Sequence, residues 1–129
     1  MLLIKETPGR GRGVYASEPV RSGEVIEQAP VLVLPDPQWL FLESTLLRDY
    51  HYAWGTDAAA IVLGFGSIYN HSYFPNAVYI RRFEERVMEY VAVRDIETGE
   101  EITVNYNGSP DDRSPLWFDP GHDQLCRTA

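Results

Sequence analysis

Cysteine is nearly absent from this chain: its 129 residues hold one, Cys126. No intramolecular disulfide and no cysteine-based zinc cluster can form. Lysine is as scarce, with Lys5 alone and every other basic residue an arginine. No basic run exists, and the net charge of −8 comes from acidic residues spread along the whole length. Nonspecific nucleic-acid binding needs clustered Lys and Arg against phosphates, so that class is disfavoured. No stretch approaches the ~20 apolar residues of a membrane span. The opening Met1-Leu2-Leu3-Ile4 is cut at Lys5, which leaves no secretory apolar segment. Repeats, low-complexity tracts and flexible linkers are missing. His51, His71 and His122 lack ligand spacing, and no carboxylate stands near His71 in sequence, so no metal site is expected. An intracellular location is the default: cytoplasmic in a bacterium, nuclear in a eukaryote.

What is present is an ordinary globular composition, 44% apolar and 23% charged. The length suits one domain with a real core. Short apolar segments alternate with Gly/Pro turns. Leu2–Ile4, Val14–Ala16, Val25–Glu27, Val31–Leu34 and Ile102–Tyr106 read as strands, and Pro30 is expected to force an edge or a break. Pro8–Gly13 reads as a glycine-rich turn. Ala77–Arg82 and Val87–Ala92 read as a hairpin around the charged turn Phe83–Arg86. Ala58–Leu63 is too short to assign by period. Asp36-Pro37 looks like a helix start, followed by apolar residues at Trp39, Leu40, Leu42, Leu46, Leu47 and Tyr50 on one helical face. Regular βαβ alternation is lacking. The expectation is a mostly β domain with minor helix.

Three segments carry polar groups that chemistry could use. Gly11-Arg12-Gly13 lets the backbone approach a ligand closely. Asn70-His71-Ser72-Tyr73-Phe74-Pro75-Asn76 sets an Asn-His pair in an aromatic, apolar stretch, where buried polar groups must find partners. Glu100-Glu101-Ile102-Thr103-Val104-Asn105-Tyr106 ends a strand on a tyrosine. Each signal is weak by itself.

Their order and spacing resemble the SET domain of protein lysine methyltransferases, over roughly residues 3–118. The nearest likeness is to minimal, cysteine-poor SET proteins of viruses and bacteria, which share the phrase seen here as Gly64-Phe65-Gly66-Ser67-Ile68-Tyr69. The resemblance implies small curved sheets around a C-terminal pseudoknot, with a SET domain over 1–118 and a tail over 119–129. It implies S-adenosylmethionine as cofactor, held by Arg12, Gly13, Val14, Asn70 and His71. It implies lysine entering from the opposite face through a narrow channel, with Tyr106 as the catalytic residue.

The same resemblance assigns Tyr50, Tyr79, Trp117 and Phe118 to the lysine side. Tyr79 is expected to limit the degree of methylation, and Trp117 and Phe118 to close the channel. Two positions depart from the family pattern: Ser67-Ile68-Tyr69 stands where many members carry Arg-Phe-Ile, and Asn105 replaces a common aspartate. The implied partner is a basic protein or peptide such as a histone tail, attracted by the acidic surface, with a homodimer left open. The competing reading is a catalytically inactive SET-like module that binds a basic protein. The intact Tyr106 and Asn70-His71 pair argue against it.

Overall fold

A computed structural model describes residues 1–35 and 37–116. The expected cap Asp36, the channel residues Trp117 and Phe118, and the tail 119–129 lie outside the described residues. The fold is mostly β, as the turn-rich sequence requires. Strands β1 (Leu2–Thr7), β2 (Gly11–Ala16), β6 (Asn70–His71) and β9 (Glu101–Val104) form one sheet in the order β1-β2-β9-β6. Strands β3 (Val25–Pro35), β4 (Tyr52–Ala53), β5 (Ala58–Val62), β7 (Ala77–Arg82) and β8 (Val87–Ala92) form a second, in the order β4-β5-β3-β8-β7. One cluster of buried side chains joins them, including Val14, Ile102 and Val104 from the first sheet and Ala29, Val31, Met88 and Tyr90 from the second.

The hairpin β7–β8 forms over the expected strands and turn, with Arg82 opposite Val87 and Arg86 at φ 55 in the turn. Pro30 does not break its strand. Val25–Pro30 pairs with β8 and Val31–Pro35 with β5, so the residue without an N–H stands where one ladder hands over to the other. Its carbonyl accepts from Leu63 N–H at 2.9 Å. Arg12 and Gly13 lie within β2 rather than in a turn, because β2 continues its pairing with β1 through to Gly11 opposite Thr7.

The helix expected after Pro37 is absent. Two 3-10 segments, Gln38–Ser44 and Leu46–Asp49, take its place, separated by an extended Thr45. Ser44 Oγ donates to Phe41 O and Thr45 Oγ1 to Leu42 O, while Leu47 N–H donates to Thr45 Oγ1. These local side-chain bonds compete with a continuous helical ladder. Packing does not compensate, since Leu42 alone of the apolar face is buried while Phe41 and Leu46 are more than 70% exposed.

Two arrangements position the site. Strand β6 lies parallel to β9, with Asn70 beside Thr103 and His71 beside Val104. The loop between β5 and β6 is clamped from below: Tyr52 and Tyr90 hydroxyls both donate to Gly66 O, at 2.7 and 3.1 Å.

Candidate active site

The polar groups singled out by sequence converge where β2, β6 and β9 meet. Asn70 spends both amide hydrogens on the protein, donating to Arg12 O at 3.0 Å and Glu101 Oε2 at 2.8 Å. Its amide oxygen remains as its acceptor. Gly13 makes that approach possible. A Cβ there would lie 2.6 Å from Thr7 Oγ1, 2.9 Å from Asn70 Nδ2, and closer still to Glu101 Oε2. The glycine is demanded by space, not by a left-handed backbone. Gly13→Ala should therefore part Asn70 from Glu101, at a cost of about 1–3 kcal/mol in stability. Scanning calorimetry should show a correspondingly lower melting temperature.

His71 is 3% exposed. Its Nδ1 accepts from the Tyr106 backbone N–H at 3.0 Å, and its carbonyl accepts from Arg10 Nη1 at 2.6 Å. Accepting at Nδ1 places the proton of the neutral ring on Nε2, which is buried without a partner among the described residues. Burial first, and the Arg10 charge second, push this imidazole down to about 4. The folded state thus resists protonation that the unfolded chain accepts near pH 6.5. Stability is full above that pH and falls progressively as pH drops from 6.5 towards 4. Melting temperatures across this window should decline in the wild type, ahead of ordinary carboxylate titration, and stay flatter in His71→Asn.

Tyr106 follows directly on this knot and is 4% exposed. Its hydroxyl donates to Tyr69 O at 2.6 Å, and its carbonyl accepts from Tyr79 Oη at 3.2 Å. The His71 and Tyr106 rings lie 5.1 Å apart. A cleft opens beside the phenol, lined by Arg10, Arg12, Tyr50, Ser67, Ile68, Asn70 and Tyr106. Four of the residues expected at the site, Arg12, Tyr50, Asn70 and Tyr106, share this cleft. Gly13 and Val14 lie behind it in β2, and Val14 is fully buried. Tyr79 sits in the core against Tyr52, with ring centroids 5.1 Å apart, and reaches the site through the Tyr106 carbonyl.

Sequence reasoning missed Arg10 and Glu101, which hold the main chain of His71 and the amide of Asn70. Arg10 adjoins the glycine pair and Glu101 falls inside the third motif, so position alone was a signal for both. It also missed Tyr73. The Tyr73 hydroxyl donates to Ser114 O and accepts from Leu116 N–H, tying the C-terminal stretch across the Asn-His segment.

The cleft's donor set fits a methionine-derived sulfonium. Arginines 10 and 12 complement a carboxylate. The Asn70 amide oxygen complements an ammonium. Among the described residues, His, Cys, Asp and Glu side chains nowhere gather in a group of three that could hold a metal.

Comparison with known proteins agrees with this geometry. The family description "SET domain" matches residues 11–107. A histone-lysine N-methyltransferase from Schizosaccharomyces pombe, specific for lysine 37 of histone H3, is 32% identical over 119 residues, covering 92% of this chain and 77% of that protein. A Plasmodium falciparum crystal structure, described as a candidate histone methyltransferase, aligns with a TM-score of 0.65 and 27% identity, covering 84% of this chain and 99% of that one. A Chaetomium thermophilum Polycomb Repressive Complex 2 structure shares the fold, with a TM-score of 0.69 at 18% identity over 82% of this chain and 15% of that one.

Proposed function

The chain belongs to the SET-domain family and is a protein-lysine methyltransferase, and we propose that it transfers methyl groups from S-adenosylmethionine to a lysine of a basic protein such as a histone. The carrying observation is the position of the Tyr106 phenol. It is buried, bonded to Tyr69 O on a residue whose main chain is held at two further points, and set on a cleft whose other walls are Arg10, Arg12, Asn70 and Tyr50. S-adenosylmethionine, when bound, supplies a methyl group already activated by a positive sulfur. Arg12 and Asn70 would hold it, with His71 behind them.

The work left to the chain is alignment and control of charge. Fixing the reacting groups in line is worth several kcal/mol. Tyr106 gives its hydroxyl proton to Tyr69 O, so the lone pairs of its oxygen are what it offers to a polarised methyl or to an amine N–H. The incoming lysine, with a free pKa of ~10.4, must react as the neutral amine. Tyrosine walls disfavour its charged form by desolvation, and water takes the proton. The acidic surface, at a net charge of −8, favours encounter with a Lys/Arg-rich tail. A second copy of the chain is the remaining partner this reading allows.

Incubation with label-bearing S-adenosylmethionine and mixed core histones tests the proposal. Labelled histone is expected. Absence of both labelling and cofactor binding would overturn it. For Tyr79 the prediction is narrower. Its hydroxyl bonds the main chain of Tyr106, so Tyr79→Phe, which releases that tie, should move the products from mono- towards di- and trimethyl-lysine by mass spectrometry. Efficient trimethylation by the wild type, unchanged in the variant, would refute that role.

A further inference from the structure

We infer that Glu27 is a positioning residue for the transfer reaction, acting on Tyr106 through Tyr69. The inference rests on the methyltransferase reading above and extends it to a strand in the other sheet. Along β3, Glu27, Ala29 and Val31 share one face, because side chains alternate along a strand. Ala29 and Val31 are buried in the core, so a carboxylate has been set on the core-facing side. The β3–β8 register shifts between Val25 and Glu27, immediately before it. Such bulges re-aim a side chain.

An inward carboxylate is costly unless it is well bonded. Glu27 is bonded at both oxygens. Oε2 accepts from Phe65 N–H at 2.9 Å, and Oε1 accepts from the Tyr69 hydroxyl at 2.8 Å. The two donors lie within and at the end of the loop that delivers Tyr69 to the site. Gly64 leaves room for this contact: its φ is +62, and a Cβ there would collide with Glu27 Oε2. Burial, and next the Glu27 charge, hold the Tyr69 phenol far above its ordinary range, so it stays a donor. Its ring packs on Tyr90 at 4.3 Å.

The other end of Tyr69 is its carbonyl, the acceptor for the Tyr106 hydroxyl at 2.6 Å. Glu27 therefore fixes the loop whose backbone sets the direction of the Tyr106 O–H. A neutral amide cannot replace it. Glutamine offers one acceptor oxygen and two N–H groups, where the site presents two donors.

The test measures steady-state methyl transfer to a histone for wild type, Glu27→Gln, Tyr69→Phe and the double variant, at a temperature well below each melting midpoint. About a tenfold fall in kcat is expected in each single variant. KM for S-adenosylmethionine and for histone should stay within about twofold, because neither Glu27 nor Tyr69 lines the cleft. The double variant should fall no further than the singles, since both substitutions break one chain of contacts. Folded variants that keep the wild-type kcat, or whose losses multiply in the double variant, would overturn the inference. A wild type with no turnover would overturn the reading on which it rests.

Discussion

Replacing Tyr106 with phenylalanine is expected to remove about 100-fold or more of the transfer rate while leaving a folded protein. A positioned polar group at a reacting centre is commonly worth that much. Here the lost hydroxyl is the one that bonds Tyr69 O and points its oxygen into the cleft with Arg12, Asn70 and Tyr50. The bonds that hold the residue in place belong to its main chain: N–H to His71 Nδ1, and carbonyl to the Tyr79 hydroxyl. Phenylalanine keeps both, and it keeps the ring contact with His71. The structural cost is the loss of one buried hydrogen bond, about 1 kcal/mol. Circular dichroism should show a native fold with a modestly lower melting temperature. Turnover within a few-fold of the wild type would remove Tyr106 from the reaction.

His71→Ala is expected to be the most damaging substitution for the site as a whole. It deletes the acceptor of a buried N–H on the catalytic residue itself. It also empties the space between the Tyr73 and Tyr106 rings, which sit 4.5 and 5.1 Å from the imidazole. An unpaired donor and a cavity together cost several kcal/mol. Loss of cofactor binding should accompany the loss of stability. The two effects separate with His71→Asn, whose amide oxygen can take the place of Nδ1 as acceptor. That variant should regain part of the melting temperature by scanning calorimetry without regaining full affinity by titration calorimetry. An alanine variant with wild-type stability and binding would show that the imidazole does neither job.

Much of this site was legible before any coordinates. The hairpin Ala77–Ala92 followed from apolar segments around a charged turn, and it forms over those strands. The trio around Gly13, Asn70 and Tyr106 followed from motif order, and Asn70 and Tyr106 meet Arg12 on one cleft. The failures have physical causes. The segment after Pro37 carries helical spacing, but Thr45 and Ser44 divert backbone bonding, and Leu42 alone of the apolar face is buried. Pro30 looked like an edge or a break because sequence does not show one strand serving two ladders. Glu27 looked like an ordinary polar residue of a strand. Its meaning depends on a register shift and on donors from a loop nearly forty residues later, neither of which composition or period encodes. Gly13 was read as a place of close backbone approach, and the groups that approach it are the protein's own Glu101, Thr7 and Asn70.

Mass mapping of a lysine-bearing histone peptide after incubation with S-adenosylmethionine, run in parallel with wild type and Tyr106→Phe, probes the account at its root. It predicts methyl groups on a lysine side chain with the wild type and almost none with the variant. Equal methylation by both proteins, or methyl groups on residues other than lysine, would contradict it.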